Sequence, residues 1–180
     1  MDVATNDKSA NSTHVPGIAD LDYSLSRATH YDPSGGVQVE LSSAWSGDGK
    51  LIVRARFTPD DPAFHLYSKD LPRKGVNGIG RPTLIEVADR GRFTEIGELI
   101  ADQKAIQQLD ATSNTSHSIY PSGPVTLYLS LLRPESSHGQ EQITIRLTYM
   151  SCSERVCNLP VERAAVSLTL PTPVAVHGND

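Results

Sequence analysis

The chain has 180 residues and a formal net charge of −5 at pH 7, from 16 Lys and Arg against 21 Asp and Glu. That size suits one domain, and a mildly acidic chain lacks the basic stripe that nucleic-acid binding requires. Its two cysteines, Cys152 and Cys157, are too few for a disulfide-rich scaffold or a four-cysteine zinc site.

Residues 1–34 are polar, lack sustained periodicity and read as an N-terminal tail. The stretch after Met1 has no apolar leader-like run, and no run reaches the roughly 20 residues of a membrane-spanning helix. Gly35-Gly36 then punctuates the chain. Val37, Val39 and Leu41 alternate with Gln38 and Glu40, which predicts a half-buried strand. Asp48-Gly49 marks a hairpin turn into a second alternating run, Leu51 to Phe57. On that run Arg54 and Arg56 read as a solvated face. The segment 64–68, FHLYS, predicts a short strand with His65 and Tyr67 on one face. A Gly/Pro-rich loop fills 69–82, and 83–87, TLIEV, is a further strand.

Residues 88–120 carry a mixed signal. Ile96, Leu99 and Ile100 stand at helical spacing around Gly97, so a short helix is expected there, followed by a loop at 111–118. Clear alternation returns at 125–131, 143–149 and 164–170, where Pro171 and Pro173 end the last run. About seven strands, turns every 8–12 residues or so and no long helix predict an immunoglobulin-like antiparallel β-sandwich. The domain is expected over 35–171, with a C-terminal tail at 172–180.

The cysteines stand in Cys152-Ser153-Glu154-Arg155-Val156-Cys157. A bridge across so short a loop stabilises by only roughly 2 kcal/mol, against about 4.7 for a 100-residue loop. A structural bridge, a redox pair, a metal site and free thiols all remain open from the spacing. A pair so close can cycle between dithiol and disulfide with little backbone movement, and at a strand end it is open to an attacking thiol. Six His are scattered without paired spacing, and no Gly-x-Ser-x-Gly elbow or phosphate loop appears. No cofactor or metal is expected.

The run from Leu147 to Pro171, with its Tyr, Cys, four residues, Cys and Pro, resembles the end of the N-terminal domain of the thiol:disulfide interchange protein DsbD family. FHLYS at 64–68, GRPTLIEV at 80–87 and IYPSGPVTLYLSL at 119–131 are similar to family segments in the same order. The resemblance implies an immunoglobulin-like fold outside the cytoplasmic membrane. It implies that Cys152 and Cys157 exchange electrons with thioredoxin-like domains, including those of cytochrome c maturation, with Cys157 forming the mixed disulfides. In the full-length form such a domain adjoins a membrane protein. His65, Tyr67, Tyr120 and Tyr149 are the expected shielding or partner-binding residues. Two features depart from the family. ATSNTSHSIY at 111–120 lacks the acidic pair and Phe of the family's cap loop, so Ile119 or Tyr120 would have to shield the cysteines. NLPV stands where Pro-Pro is common. The contrasting expectation is a non-enzymatic binding sandwich whose disulfide merely holds a loop.

Overall fold

A computed structural model describes residues 17–88, 92–110, 114–133 and 141–172. Along these residues the strands run β1 (Arg27–Asp32), β2 (Val37–Trp45), β3 (Leu51–Pro59), β4 (His65–Leu66), β5 (Leu84–Val87) and β6 (Thr94–Ala101). They continue as β7 (Ile106–Asp110), β8 (Thr115–Ile119), β9 (Val125–Leu132), β10 (Gln142–Tyr149), β11 (Ser151–Cys152) and β12 (Val161–Thr169). No helix occurs among the described residues.

Two antiparallel sheets form an immunoglobulin-like sandwich. One has the order β1-β2-β3-β9-β6, the other β12-β10-β5. The alternation read from the sequence supplies the core between them. Val39 and Leu41 of β2, Val53 and Phe57 of β3, and Leu127 and Leu129 of β9 are buried with Ile85 of β5, Ile143, Ile145 and Leu147 of β10, and Leu168 of β12. Side chains of period two place every second residue in one apolar layer. The predicted hairpin joins β2 to β3, with Gly49 at φ 79°. The two-stranded pairs β4-β11 and β7-β8 stand apart from these sheets and build the site described below.

Four expectations change. First, the stretch read as a tail contains β1, which pairs with β2 from Arg27 opposite Ser42 to Asp32 opposite Val37. Its burial only alternates between exposed and intermediate, so it carries no apolar signature. Residues 1–16 lie outside the described residues, as do 173–180 of the C-terminal tail. Second, the helix expected around Gly97 is strand β6. Its pairing with β9 shifts register between Ile96 and Ile100, and Gly97 has φ 71°. An extra-residue bulge mimics helical spacing, because it moves apolar residues off strict alternation. Third, the loop expected at 111–118 includes β8, paired with β7. The buried positions of β8 are Thr115, His117 and Ile119, and two polar residues out of three hide the pattern.

Fourth, the outer face of the larger sheet is not simply solvated. Tyr23 is 3% exposed and packs with Ala44, Ile52 and Tyr128, flanked by Ile18 and Leu21. The Arg54 guanidinium lies 4.2 Å from the Tyr23 ring centroid, a cation–π contact, and its Nε donates to Ser42 Oγ. Residues 18–23 are thus a strap across that sheet, and Tyr128 is buried beneath it. Truncating a buried aromatic removes its packing and leaves a cavity. Tyr23→Ala is therefore expected to lower unfolding free energy by about 3 kcal/mol, read as a shift of the urea midpoint at unchanged slope.

Candidate functional site

The site is built where β10 ends. The chain turns at Met150 and enters β11, which pairs antiparallel with β4: Ser151 stands opposite Leu66 and Cys152 opposite His65. Residues 153–156 reverse direction, and Cys157 comes back opposite Cys152. Ser153 N donates to Val156 O at 2.8 Å, and Asn158 N donates to Ser151 O at 2.9 Å. Those two bonds bracket the cysteines, which makes Cys152 and Cys157 a non-hydrogen-bonded pair of a tight hairpin. That is the ladder position in which opposed side chains come closest. Their Cα atoms are 4.0 Å apart and the sulfurs are bonded.

The two ends of the bridge have unlike surroundings. Cys152 is 1% exposed, whereas Cys157 is exposed. On the buried side the Tyr67 hydroxyl lies 3.3 Å from Cys152 Sγ. Tyr67 itself makes edge-to-face contacts with two imidazoles. The His65 ring is 5.6 Å away at 76°, and the His117 ring 5.8 Å away at 74°. Its backbone bridges Pro82 on one side and Ile119 on the other. The Gly-rich loop makes room for its ring. Gly80 has φ 84°, and a Cβ there would stand 2.8 Å from Tyr67 Cε1.

A groove of about 740 Å³ opens beside the disulfide. The β7-β8 hairpin contributes Leu109 and His117, the loop at 75–80 contributes Ile79, and the cysteine hairpin contributes Val156. Leu109 is 63% exposed and Val156 58%, so the groove has apolar rims open to solvent. Burial pushes the His65 pKa below its ordinary value of 6.5, and the neighbouring His117 adds to the effect. Burial likewise pushes the Tyr67 phenol up, assisted by the negative charge of Asp110. Tyr67 therefore stays protonated and able to donate towards sulfur. Among the described residues no group of three or more His, Cys, Asp and Glu is arranged to hold a metal ion.

Of the residues singled out in the sequence, the structure brings Cys152, Cys157, His65 and Tyr67 together. It does not bring Tyr120 and Tyr149 to the groove. Tyr120 is 1% exposed in the main core, and its hydroxyl accepts from Lys69 N. Tyr149 is fully buried in the same core, edge-on to Phe57 at 5.7 Å. Alternation explains both. Tyr149 continues the inward face of β10, and Tyr120 follows Ile119, whose own side chain lines the groove. Sequence reasoning missed His117, which is 5% exposed with neither ring nitrogen hydrogen-bonded. Its only signal was an alternation of polar residues, Thr115 and His117, leading into Ile119.

No protein-family model matches the chain, and no curated protein matches it. The fold is similar to the crystal structure of the N-terminal periplasmic domain of ScsB from Proteus mirabilis, with a TM-score of 0.52 and 17% sequence identity. The match covers 81% of this chain and 51% of that one, so this chain spans about half the length of its neighbour. A likeness at this identity shows the shared fold.

Two outcomes follow from the packing around Tyr67. Gly80→Ala combines a disfavoured φ with a clash against the ring, and is expected to destabilise the domain by about 2 kcal/mol, measured by chemical denaturation. The depressed pKa of His65 means that the unfolded chain binds its proton more readily than the folded one. Its contribution is then intact above pH 6.5, the ordinary value, and is lost as pH falls through the lower folded value. Replacing it, as in His65→Gln, is expected to flatten the fall of stability with pH below 6.5 in a series of melts.

Proposed function

We propose that the chain is a thiol–disulfide exchange module that passes reducing equivalents between thioredoxin-like protein partners through Cys152 and Cys157. The observation that carries this reading is the unequal burial of one disulfide: an exposed Cys157 at a groove, and a buried Cys152 under a tyrosine hydroxyl. A bridge that served only to staple would gain nothing from an open apolar groove over one of its sulfurs.

The exchange balances as follows. A partner thiolate attacks Cys157 Sγ, a new intermolecular S–S bond forms, and the Cys152–Cys157 bond breaks. The electron pair goes to Cys152 Sγ, where the Tyr67 O–H donates to the developing thiolate. A hydrogen bond to sulfur lowers the basicity of the leaving thiol, and a less basic thiol leaves faster. The partner's second thiol then attacks its own bridged sulfur and releases Cys157. The partner leaves as a disulfide and this chain as a dithiol, with the two protons of the partner's thiols restored to Cys152 and Cys157. The same steps run backwards deliver the electrons to the next partner. Leu109, Val156 and Ile79 are the apolar contacts on which a partner's active-site surface rests, and His65 and Tyr67 shield the inner sulfur.

An oxidising compartment outside the cytoplasm suits this chemistry, because the bridge must be remade by exchange and not erased by a thiol pool. The periplasmic origin of the structural neighbour supports that setting.

Single-cysteine variants test the assignment. Cys152→Ser keeps the exposed thiol and lacks the resolving one, so it is expected to trap a mixed disulfide with a thioredoxin-like protein. Cys157→Ser should trap little. Equal trapping by both removes the distinction between the two sulfurs. Tyr67→Phe should slow opening of the bridge by dithiothreitol about tenfold, the cost of about 1.4 kcal/mol for one lost hydrogen bond to a charged group. A reduction potential well below about −300 mV would mark an inert structural bridge and overturn the reading.

A further inference from the structure

Backbone and side-chain hydrogen bonds close the hairpin that carries the cysteines without using the sulfur bond. At its tip, Ser153 Oγ accepts from Arg155 N at 3.2 Å and from Val156 N at 3.1 Å. At its base, Asn158 Nδ2 donates to Ser151 Oγ at 2.9 Å, and Ser151 Oγ donates to Gly35 O at 3.0 Å. Leu159 N donates to Ser34 O at 3.0 Å. Ser151 is fully buried, so this base is a fixed part of the fold. The turn between β1 and β2 is shaped around it. Gly36 has φ 58°, and a Cβ there would stand 2.5 Å from Asn158 Nδ2. On its other side Cys152 is held by the ladder to His65.

We infer that Asn158, with Ser151 and Ser153, is a positioning element that keeps the two thiols opposed in the reduced chain and so sets the equilibrium between dithiol and disulfide. The inference rests on the exchange reading and deepens it. When Cys152 and Cys157 are reduced, the bonds at the tip and base still hold their Cα atoms across the ladder. Closing the bridge then requires little further loss of chain entropy, which is the origin of a high effective concentration. The residues do not touch the reacting atoms; they act on where those atoms are kept. Loosening the hairpin frees the dithiol form more than the disulfide form, because the sulfur bond itself holds the latter. The direction is therefore set: a loosened hairpin favours the dithiol.

The test is a redox titration of the full chain against dithiothreitol or glutathione, with melting curves of both redox forms. Asn158→Ala removes the donor at the base, and Ser153→Ala removes the acceptor at the tip. Ser153 lies on the solvent side of the hairpin, so its variant keeps the fold even if Asn158→Ala does not. Each variant is expected to lower the equilibrium constant for disulfide formation by about tenfold, a shift of about 30 mV. Asn158→Asp cannot donate to Ser151 Oγ, whose one proton is already given to Gly35 O, and is expected to shift the constant as Asn158→Ala does. Equal loss of stability in both redox forms at an unchanged constant would mark a purely structural role and overturn the inference. Failure of the natural chain to exchange with thioredoxin-like proteins, with the variants still shifting the dithiothreitol equilibrium, would remove the exchange reading and leave this one standing.

Discussion

The ladder position of Cys152 is the constraint from which the site follows. It stands between two antiparallel neighbours, His65 on one side and Cys157 on the other. A residue paired on both sides is buried within its small sheet, and the return strand that brings Cys157 lies at the edge. One bridge is thereby anchored inside the fold and presented outside it. The short β4 exists to supply the inner neighbour. Tyr67, the next residue but one after His65, inherits the place over the sulfur through the same backbone. Gly80 and the loop around it are shaped by the need to admit that ring.

Most of the sandwich was legible because its strands keep strict alternation. Val37, Val39 and Leu41, or Ile143, Ile145 and Leu147, place one apolar face without help from neighbours. The failures share one physical cause: burial by residues that are not apolar, or apolar contact without period two. β8 buries Thr115 and His117, and β6 carries a bulge at Gly97. Polar β1 is recruited as an edge strand by its ladder to β2, with only Ala28 packed on the core and the His30 ring edge-on to Tyr149. Within the site, the cysteines drew notice by spacing and by the family resemblance, and His65 and Tyr67 by the resemblance of FHLYS to a family segment. Tyr120 and Tyr149 looked equivalent to Tyr67 as sequence symbols. Only the pleat tells a tyrosine that faces a groove from one that fills a core. His117 could not be found by either route, since its partner Tyr67 is 50 positions away.

The aromatic lining also defines the electrostatic character of the pair. A carboxylate next to a buried sulfur would oppose a thiolate, while a phenol supplies a hydrogen bond without a competing charge. Here the inner sulfur has Tyr67 as its donor, and Tyr67 makes edge-to-face contacts with two imidazole rings. Glu154 and Arg155 are both exposed at the tip of the hairpin, so their opposite charges act mainly through solvent. The buried sulfur is thus surrounded by packed side chains and one hydroxyl, and the outer cysteine by solvent.

The bonds from Leu159 and Ser151 to the turn at 32–36 reach across 116 residues of sequence in the case of Ser151 and Gly35. The beginning of the fold and its disulfide loop are one hydrogen-bonded unit. A fragment trimmed to start at the first apolar strand would retain both cysteines and nearly the whole sandwich core. It would lose the edge strand that holds the turn, and with it the footing of the hairpin. Proteolytic nicking at that edge would likewise take away the acceptors Ser34 O and Gly35 O, which makes the N-terminal edge strand part of the disulfide's support.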